Sequence, residues 1–218
     1  MSEFGVEEPP GLEPRYNIAP TQEIVAIRRE ESGVRRAGLL RWGLVPHFAE
    51  DPGVGNRLIN ARAETVARKP AFREPFRERR CLVPADGFYE WRRVGGARDP
   101  YLMKKRDGHT FAFAGVWDRW AGDGGRVESC AILTTAANDL VAPIHDRMPV
   151  MLDRSSYALW LDPDARDEDL QGLLRPSPAE GMVVYPVSPV VNNVAVDAPD
   201  CEKRVAEPPP APIQGTLF

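Results

Sequence analysis

Short apolar runs, each broken by a turn residue within a dozen positions, set the rhythm of this chain. Alternation of apolar and polar side chains reads as half-buried strand, and it appears at Glu23–Arg29 and Val34–Leu44, with Gly33 as the bend of a hairpin between them. Leu58–Glu64 reads as a short strand running into irregular chain, and Cys81–Val83, Gly87–Arg93, Tyr101–Lys105 and Thr110–Trp117 as further strands. Arg119–Gly125 is expected to be a flexible turn. Val127–Thr134 is expected to be a buried strand, because its centre at Cys130–Leu133 is wholly apolar. Val150–Leu152 and Met182–Val187 complete the strands. Helical spacing is confined to Pro70–Arg79, where Phe72 and Phe76 stand four apart behind a first-turn proline, and to Ser155–Leu161 and Asp167–Leu174. Asn138 is placed to cap a short helix stopped by Pro143. His47–Asn56 and the proline-bracketed Ile144–Pro149 read as loops. The predicted class is α+β and strand-dominated, either two packed sheets or a distorted barrel with peripheral helices.

Composition sharpens this picture at a few points. With 218 residues and 22 prolines, one domain of many short elements is expected over residues 1–206. Its first 14 residues form an irregular acidic lead-in, and residues 207–218 a proline-rich tail. No apolar run is long enough to span a bilayer, and Cys81, Cys130 and Cys201 lack any metal-ligand spacing. Reduced thiols in a cytoplasmic monomer without cofactor or metal are expected. The net charge is −4, yet residues 57–106 hold 14 Lys and Arg against 6 Asp and Glu. Such a basic middle suits phosphate binding at one face; pairing of these arginines with the acidic flanks is the alternative.

Candidate chemistry centres on Gly87–Phe88–Tyr89–Glu90–Trp91. Strand alternation puts Phe88, Glu90 and Arg92 on one side and Tyr89 and Trp91 on the other. Burying a lone carboxylate among aromatics costs several kcal/mol, on the order expected for desolvation, or raises its pKa into the range useful for proton transfer. A solvated glutamate paired with Arg92 or Arg93 is the plainer alternative. Asn60 with Arg62, His145 with Arg147, and Trp42 ahead of a proline turn are the other polar or aromatic candidates. His145 is one of 3 histidines and the one held in a proline-restricted loop.

Taken in order, the stretches RYNIAPTQ (15–22), RWGLVP (41–46), NARAET (60–65), RCLVPADGFYEW (80–91), FAGVW (113–117), ILTT (132–135) and IHDRMPV (144–150) resemble the SOS response-associated peptidase (SRAP) family, the abasic-site processing proteins. The resemblance implies an SRAP-like fold and a DNA-damage function in which an N-terminal cysteine, exposed by methionine removal and self-processing, captures an abasic site in single-stranded DNA as a thiazolidine. It implies catalytic roles for Glu90 and His145 as acid and base and for Asn60 in orienting the N-terminal group. Arg62 and Arg147 then fit phosphates, with Arg79 and Arg80 added to the DNA-facing set, and Trp42 fits a stacking surface. The protein is expected in the cytoplasm, nucleoid-associated when DNA-bound.

The departure lies at the start. Family members begin Met-Cys-Gly-Arg, whereas this chain begins Met1–Ser2–Glu3 and has no cysteine before Cys81. A start placed too far downstream, trimming, or a variant without the nucleophile would each produce this; the coexistence of Asn60, Glu90 and His145 favours the first two. Absence of the family's first strand is expected to leave a sheet edge uncovered. The competing class is a noncatalytic module for single-stranded DNA or junctions, and the lack of a ligand-like cluster disfavours a metal-dependent hydrolase. Separately, Gln214, Leu217 and Phe218 resemble the Gln-x-x-Leu-Phe peptides that dock on the bacterial sliding clamp.

Overall fold

The computed structural model describes residues 1–7, 11–123 and 125–207. A hairpin of β1 (Glu23–Arg29) and β2 (Arg35–Trp42) comes first, followed by the short β3 (Asn60–Arg62) and α1 (Pro70–Glu78). Next come β4 (Arg80–Ala85), β5 (Gly87–Val94), β6 (Ala97–Lys105), β7 (Phe111–Gly122) and β8 (Gly125–Ala136). Then follow β9 (Arg147–Pro149), β10 (Met151–Leu152), α2 (Tyr157–Trp160), α3 (Asp167–Leu173) and β11 (Met182–Pro186).

An eight-stranded sheet runs β10-β7-β4-β1-β2-β8-β3, with β9 added to β8, and pairing of β7 with β8 turns it back on itself as a distorted ring. The ring is weakly closed at one point, where β1 meets β4 through the single pair Ile27↔Leu82. A separate three-stranded sheet, β11-β6-β5, lies against it. The architecture is thus strand-dominated α+β with packed sheets, as the pattern predicted.

Alternation gives the large sheet two apolar faces. Ile27, Leu82, Ala114, Val116, Ala131 and Leu133 pack against Phe72 and Phe76 of α1, Trp160 of α2 and Leu170 of α3. The opposite face, with Ile24, Leu40, Val83, Phe113, Cys130 and Ile132, packs against Phe88, Tyr101 and Met103 of the small sheet. Each fully buried side chain of this size contributes about 1.5–3 kcal/mol.

Four local expectations change. The lead-in is not all irregular: Phe4 is 2% exposed and stacks on Tyr157 at 5.3 Å between ring centres. The flexible turn read at Arg119–Gly125 is strand as far as Gly122, because Trp120 is buried and its indole donates to Ala49 O at 2.7 Å, holding the ribbon straight. Asn138 caps no helix; its side-chain oxygen accepts from the amides of Leu140 and Val141, an Asx turn that Pro143 prevents from propagating. The loop read at Ile144–Pro149 contains β9, since Met148 is buried and pairs with Thr135.

Two of the recognisable stretches are structural anchors. Asn17 is buried and its amide donates to the carbonyls of Val191, Asn193 and Val196 at 3.0, 3.2 and 3.0 Å. Arg80 is also buried, with Nε 2.8 Å from Trp160 O and Nη1 2.6 Å from Phe76 O, and further bonds to the carbonyls of Arg77 and Asp162. One guanidinium therefore satisfies the open carbonyl ends of α1 and α2 together. Replacing Arg80 by Ala should cost about 3 kcal/mol or more in urea unfolding, because several buried carbonyls lose their donor at once. Arg62→Ala, at an exposed position, should change stability by no more than about 0.5 kcal/mol; equal costs for the two would refute this assignment.

Candidate functional site at the margin of the small sheet

Register decides which side chains meet. Residues paired across strands share a face, so Trp42 and Cys130, Asn60 and Ile132, Arg62 and Thr134, and Arg147 and Ala136 all face alike. Cys130 and Ile132 belong to the core under the small sheet. Trp42, Asn60, Arg62 and Arg147 consequently stand on the face that the small sheet covers, arranged along β8. The indole of Trp42 donates to Ile59 O at 2.9 Å, which ties it to the residue preceding Asn60.

From the small sheet, β5 brings Glu90. Phe88, two residues earlier, enters the core, and Glu90 follows on the same face where the cover ends. Its side chain is 22% exposed, and its Oε1 lies 3.9 Å from Nδ1 of His145. Burial raises the Glu90 pKa above the ordinary carboxylate value, and the charge of a protonated His145 opposes that rise. The plainer reading of Glu90 as the partner of Arg92 does not hold, since Arg92 faces Asp99 at 3.5 Å and Glu207 at 3.3 Å.

His145 is held by its own turn. Its amide donates to Val141 O at 3.0 Å, and its Nδ1 is 3.1 Å from both the N–H and the C=O of Arg147. Neutral Nδ1 accepts from that amide; protonated Nδ1 faces the carbonyl, the exposed Asp146 carboxylate at 3.5 Å and the half-buried Glu90 carboxylate at 3.9 Å.

The remaining sequence candidates divide. Asn60 and Arg62 are exposed, and neither side chain bonds to Glu90 or His145; they share the face, not a contact. Arg147 is forked onto Glu64, at 2.7 and 3.0 Å, and also donates to Thr134 O at 2.6 Å. Its charge is therefore compensated, and Glu64 is held below the usual carboxylate range by that hydrogen bond. Two arginines placed in the DNA-facing set are corrected. Arg80 is consumed by the helix-end carbonyls, and Arg79 is tied to Glu74 at 2.8 Å and to buried Asp118 at 3.2 Å. Gln214, Leu217 and Phe218 lie outside the described residues.

Reasoning from sequence missed the Glu64–Arg147 pair, although Glu64 lies within the NARAET stretch. It also missed Asp118, which gathers Arg79, Nδ1 of His47 at 3.0 Å and the Arg119 amide. All three cysteines are free and buried; burial pushes the Cys81 thiol up to about 12 and the Cys130 thiol well above its ordinary value. Among the described residues no helix is long and apolar enough to cross a membrane.

A raised carboxyl pKa makes ionised Glu90 a cost to folding above that pKa. The cost is relieved as pH falls through it and is absent below the ordinary glutamate value. Glu90→Gln should therefore be more stable than the unmodified protein at pH 8, with the advantage shrinking on acidification. His145→Ala should move the Glu90 carboxyl higher still in a carbon-13 NMR titration. A Glu90 that titrates at or below the ordinary value would contradict the buried placement.

The family model described as SOS response associated peptidase (SRAP) matches residues 1–194. The abasic site processing protein YoqW of Bacillus subtilis is 42% identical over 206 residues, covering 92% of each chain. The abasic site processing protein HMCES of Gallus gallus is 32% identical, covering 86% of this chain and 65% of its own. A solved structure of a protein from Bacteroides thetaiotaomicron superposes with a TM-score of 0.78 at 29% identity, covering 85% of this chain and 82% of the other. With its strand-dominated fold and nearly its whole described length matched, this chain belongs to the SRAP family.

Proposed function

We propose that this chain binds abasic sites in single-stranded DNA on the face marked by Trp42, Asn60 and Glu90. The observation that carries the reading is the 3.9 Å approach of Nδ1 of His145 to a half-buried Glu90 that has no arginine partner among the described residues. A base-less nucleotide leaves space where a base would stack, and an indole beside that space offers a platform to the neighbouring base. Ring-opening of the sugar needs a proton moved from its hydroxyl to its ring oxygen, and Glu90 with His145 can perform both halves.

The same pair serves covalent capture. An amine attacking the opened aldehyde must be neutral, and the hemiaminal must lose water, so one group accepts a proton and the other returns it. Asn60 is suited to orient the attacking terminus by hydrogen bonding. Among the described residues Arg62 has no hydrogen bond or ion pair and can meet a phosphate directly, whereas Arg147 must first share its fork with Glu64. In this reading the thiol and amine of a thiazolidine come from an N-terminal cysteine, and Asn60, Glu90 and His145 serve it.

The test compares abasic and intact single-stranded oligonucleotides by fluorescence anisotropy. Abasic DNA should bind more tightly, and Trp42→Ala should weaken binding by about 1–3 kcal/mol, the worth of one base–aromatic stack. An in-frame Met-Cys-Gly-Arg terminus should add a heat-stable shifted band on abasic DNA, and Glu90→Gln should slow its appearance at least tenfold. Binding without the band leaves the noncatalytic module as the reading; equal affinity for intact and abasic strands refutes lesion recognition. Capture of a bacterial sliding clamp by the terminal Gln-Gly-Thr-Leu-Phe is proposed separately. Deleting residues 214–218 should abolish retention of the clamp in a pull-down, and unchanged retention ends that proposal.

A further inference from the structure

Most cations of the basic middle are spoken for. Arg79, Arg92, Lys104 and Lys105 pair with carboxylates, and Arg80 and Arg106 donate to backbone carbonyls. Among the described residues Arg57, Arg62, Lys69, Arg73, Arg93 and Arg98 are exposed without a hydrogen bond or ion pair, and of these Arg93 and Arg98 are set apart by their placement. They sit directly opposite each other in the β5–β6 register, both exposed, and neither has a hydrogen bond or ion pair among the described residues.

Like charges facing each other across two strands destabilise a hairpin. Here the register cannot slip to relieve the conflict. Val94 pairs with Ala97, so the loop is Gly95–Gly96, and both glycines have positive φ, 55° and 89°. That is the two-residue hairpin turn in which glycine is favoured at both positions, and it locks every pair behind it. Arg93, Arg98 and the two glycines line a small concavity of about 300 Å³. The tip thus holds two guanidinium groups side by side around an open space, with no acid between them.

Arg93 lies three residues beyond Glu90, about 10 Å along the same strand. It falls on the opposite face of the ribbon, which it shares with Trp91. A group bound there would be displaced from the acid-base pair by more than one nucleotide's reach, on the rim and not in the pocket.

We propose that the β5–β6 tip is a phosphate clamp: Arg93 and Arg98 together hold a phosphodiester of the DNA flanking the base-less nucleotide. A bound phosphate supplies the negative charge that the hairpin lacks, and guanidinium forks match its oxygens. This rests on the abasic-DNA reading above and adds to it a contact outside the lesion.

The experiment measures anisotropy of a labelled abasic single-stranded oligonucleotide across a salt series, together with thermal unfolding of the DNA-free protein. For Arg93→Gln/Arg98→Gln the slope of log affinity against log salt should fall by about 1.4, the loss of two phosphate contacts on a single strand. For Arg98→Glu the free protein should melt higher, because opposite charges now face each other, while DNA affinity falls at least tenfold. A purely structural arginine pair would not move stability and binding in opposite directions. An unchanged slope in the double variant, with the unmodified protein still preferring abasic DNA, overturns the clamp and leaves the function standing. An unmodified protein that binds no DNA overturns both.

Discussion

Strand β8 is shared by β7, β2, β3 and β9, and that sharing is the constraint on which the site depends. Because alternation along one strand is strict, every residue registered to Cys130, Ile132, Thr134 or Ala136 must face the small sheet. Trp42, Asn60, Arg62 and Arg147 come from three segments far apart in sequence, yet one strand's pleat orients them all. A slip of one residue at β3 would turn Asn60 and Arg62 toward the helices and bring Ala61, which is fully buried, to the site. The burial of Ala61 therefore fixes the orientation of its two polar neighbours.

The second sheet supplies what the first cannot. Phe88 anchors β5 in the core, in edge contact with Phe113 at 5.9 Å, and this fixes how far Glu90 can withdraw from solvent. The carboxylate is desolvated enough to resist ionisation and still lies against a histidine. Elsewhere the protein follows the opposite rule. Asp118 is buried deeper, but an arginine, a histidine ring and two backbone amides surround it. Asp197 likewise collects Arg15 and the amides of Tyr16 and Asn17, and its pKa is lowered. Glu90 differs in that His145 and a backbone hydrogen bond at Trp91 offset its burial only in part, and its pKa stays raised.

Much of this was legible in the sequence, and the reasons are specific. The strand Glu23–Arg29 and the Pro70 helix were readable because alternation and the Phe72–Phe76 spacing are local signals. Glu90 and His145, which the structure brings to 3.9 Å, drew notice because an acid among aromatics and a histidine among prolines are locally odd. What failed was partnership. Whether an arginine faces a phosphate or a carbonyl depends on what the fold brings opposite it, and nothing near Arg80 in sequence announces Trp160 or Asp162. Trp120 extended its strand through a contact with Ala49, some seventy positions away. The small-residue signal of Arg119–Gly125 described the turn correctly but not its length.

The arginines illustrate how a charge count becomes a surface. Fourteen cations in residues 57–106 suggested one basic face, but folding distributes them among helix ends, carbonyls and carboxylates. Neutralised pairs contribute little to a long-range field, because each cation's potential is cancelled within a few ångströms by its partner's. What steers a polyanion is the residue left over after pairing. Among the described residues of this stretch the remainder is Arg57, Arg62, Lys69, Arg73, Arg93 and Arg98, and within it Arg62 stands beside Asn60 while Arg93 and Arg98 face each other at the hairpin tip. An overall charge of −4 therefore does not preclude local attraction of a polyanion, because the field near a surface is set by the nearest uncompensated charges and not by the total.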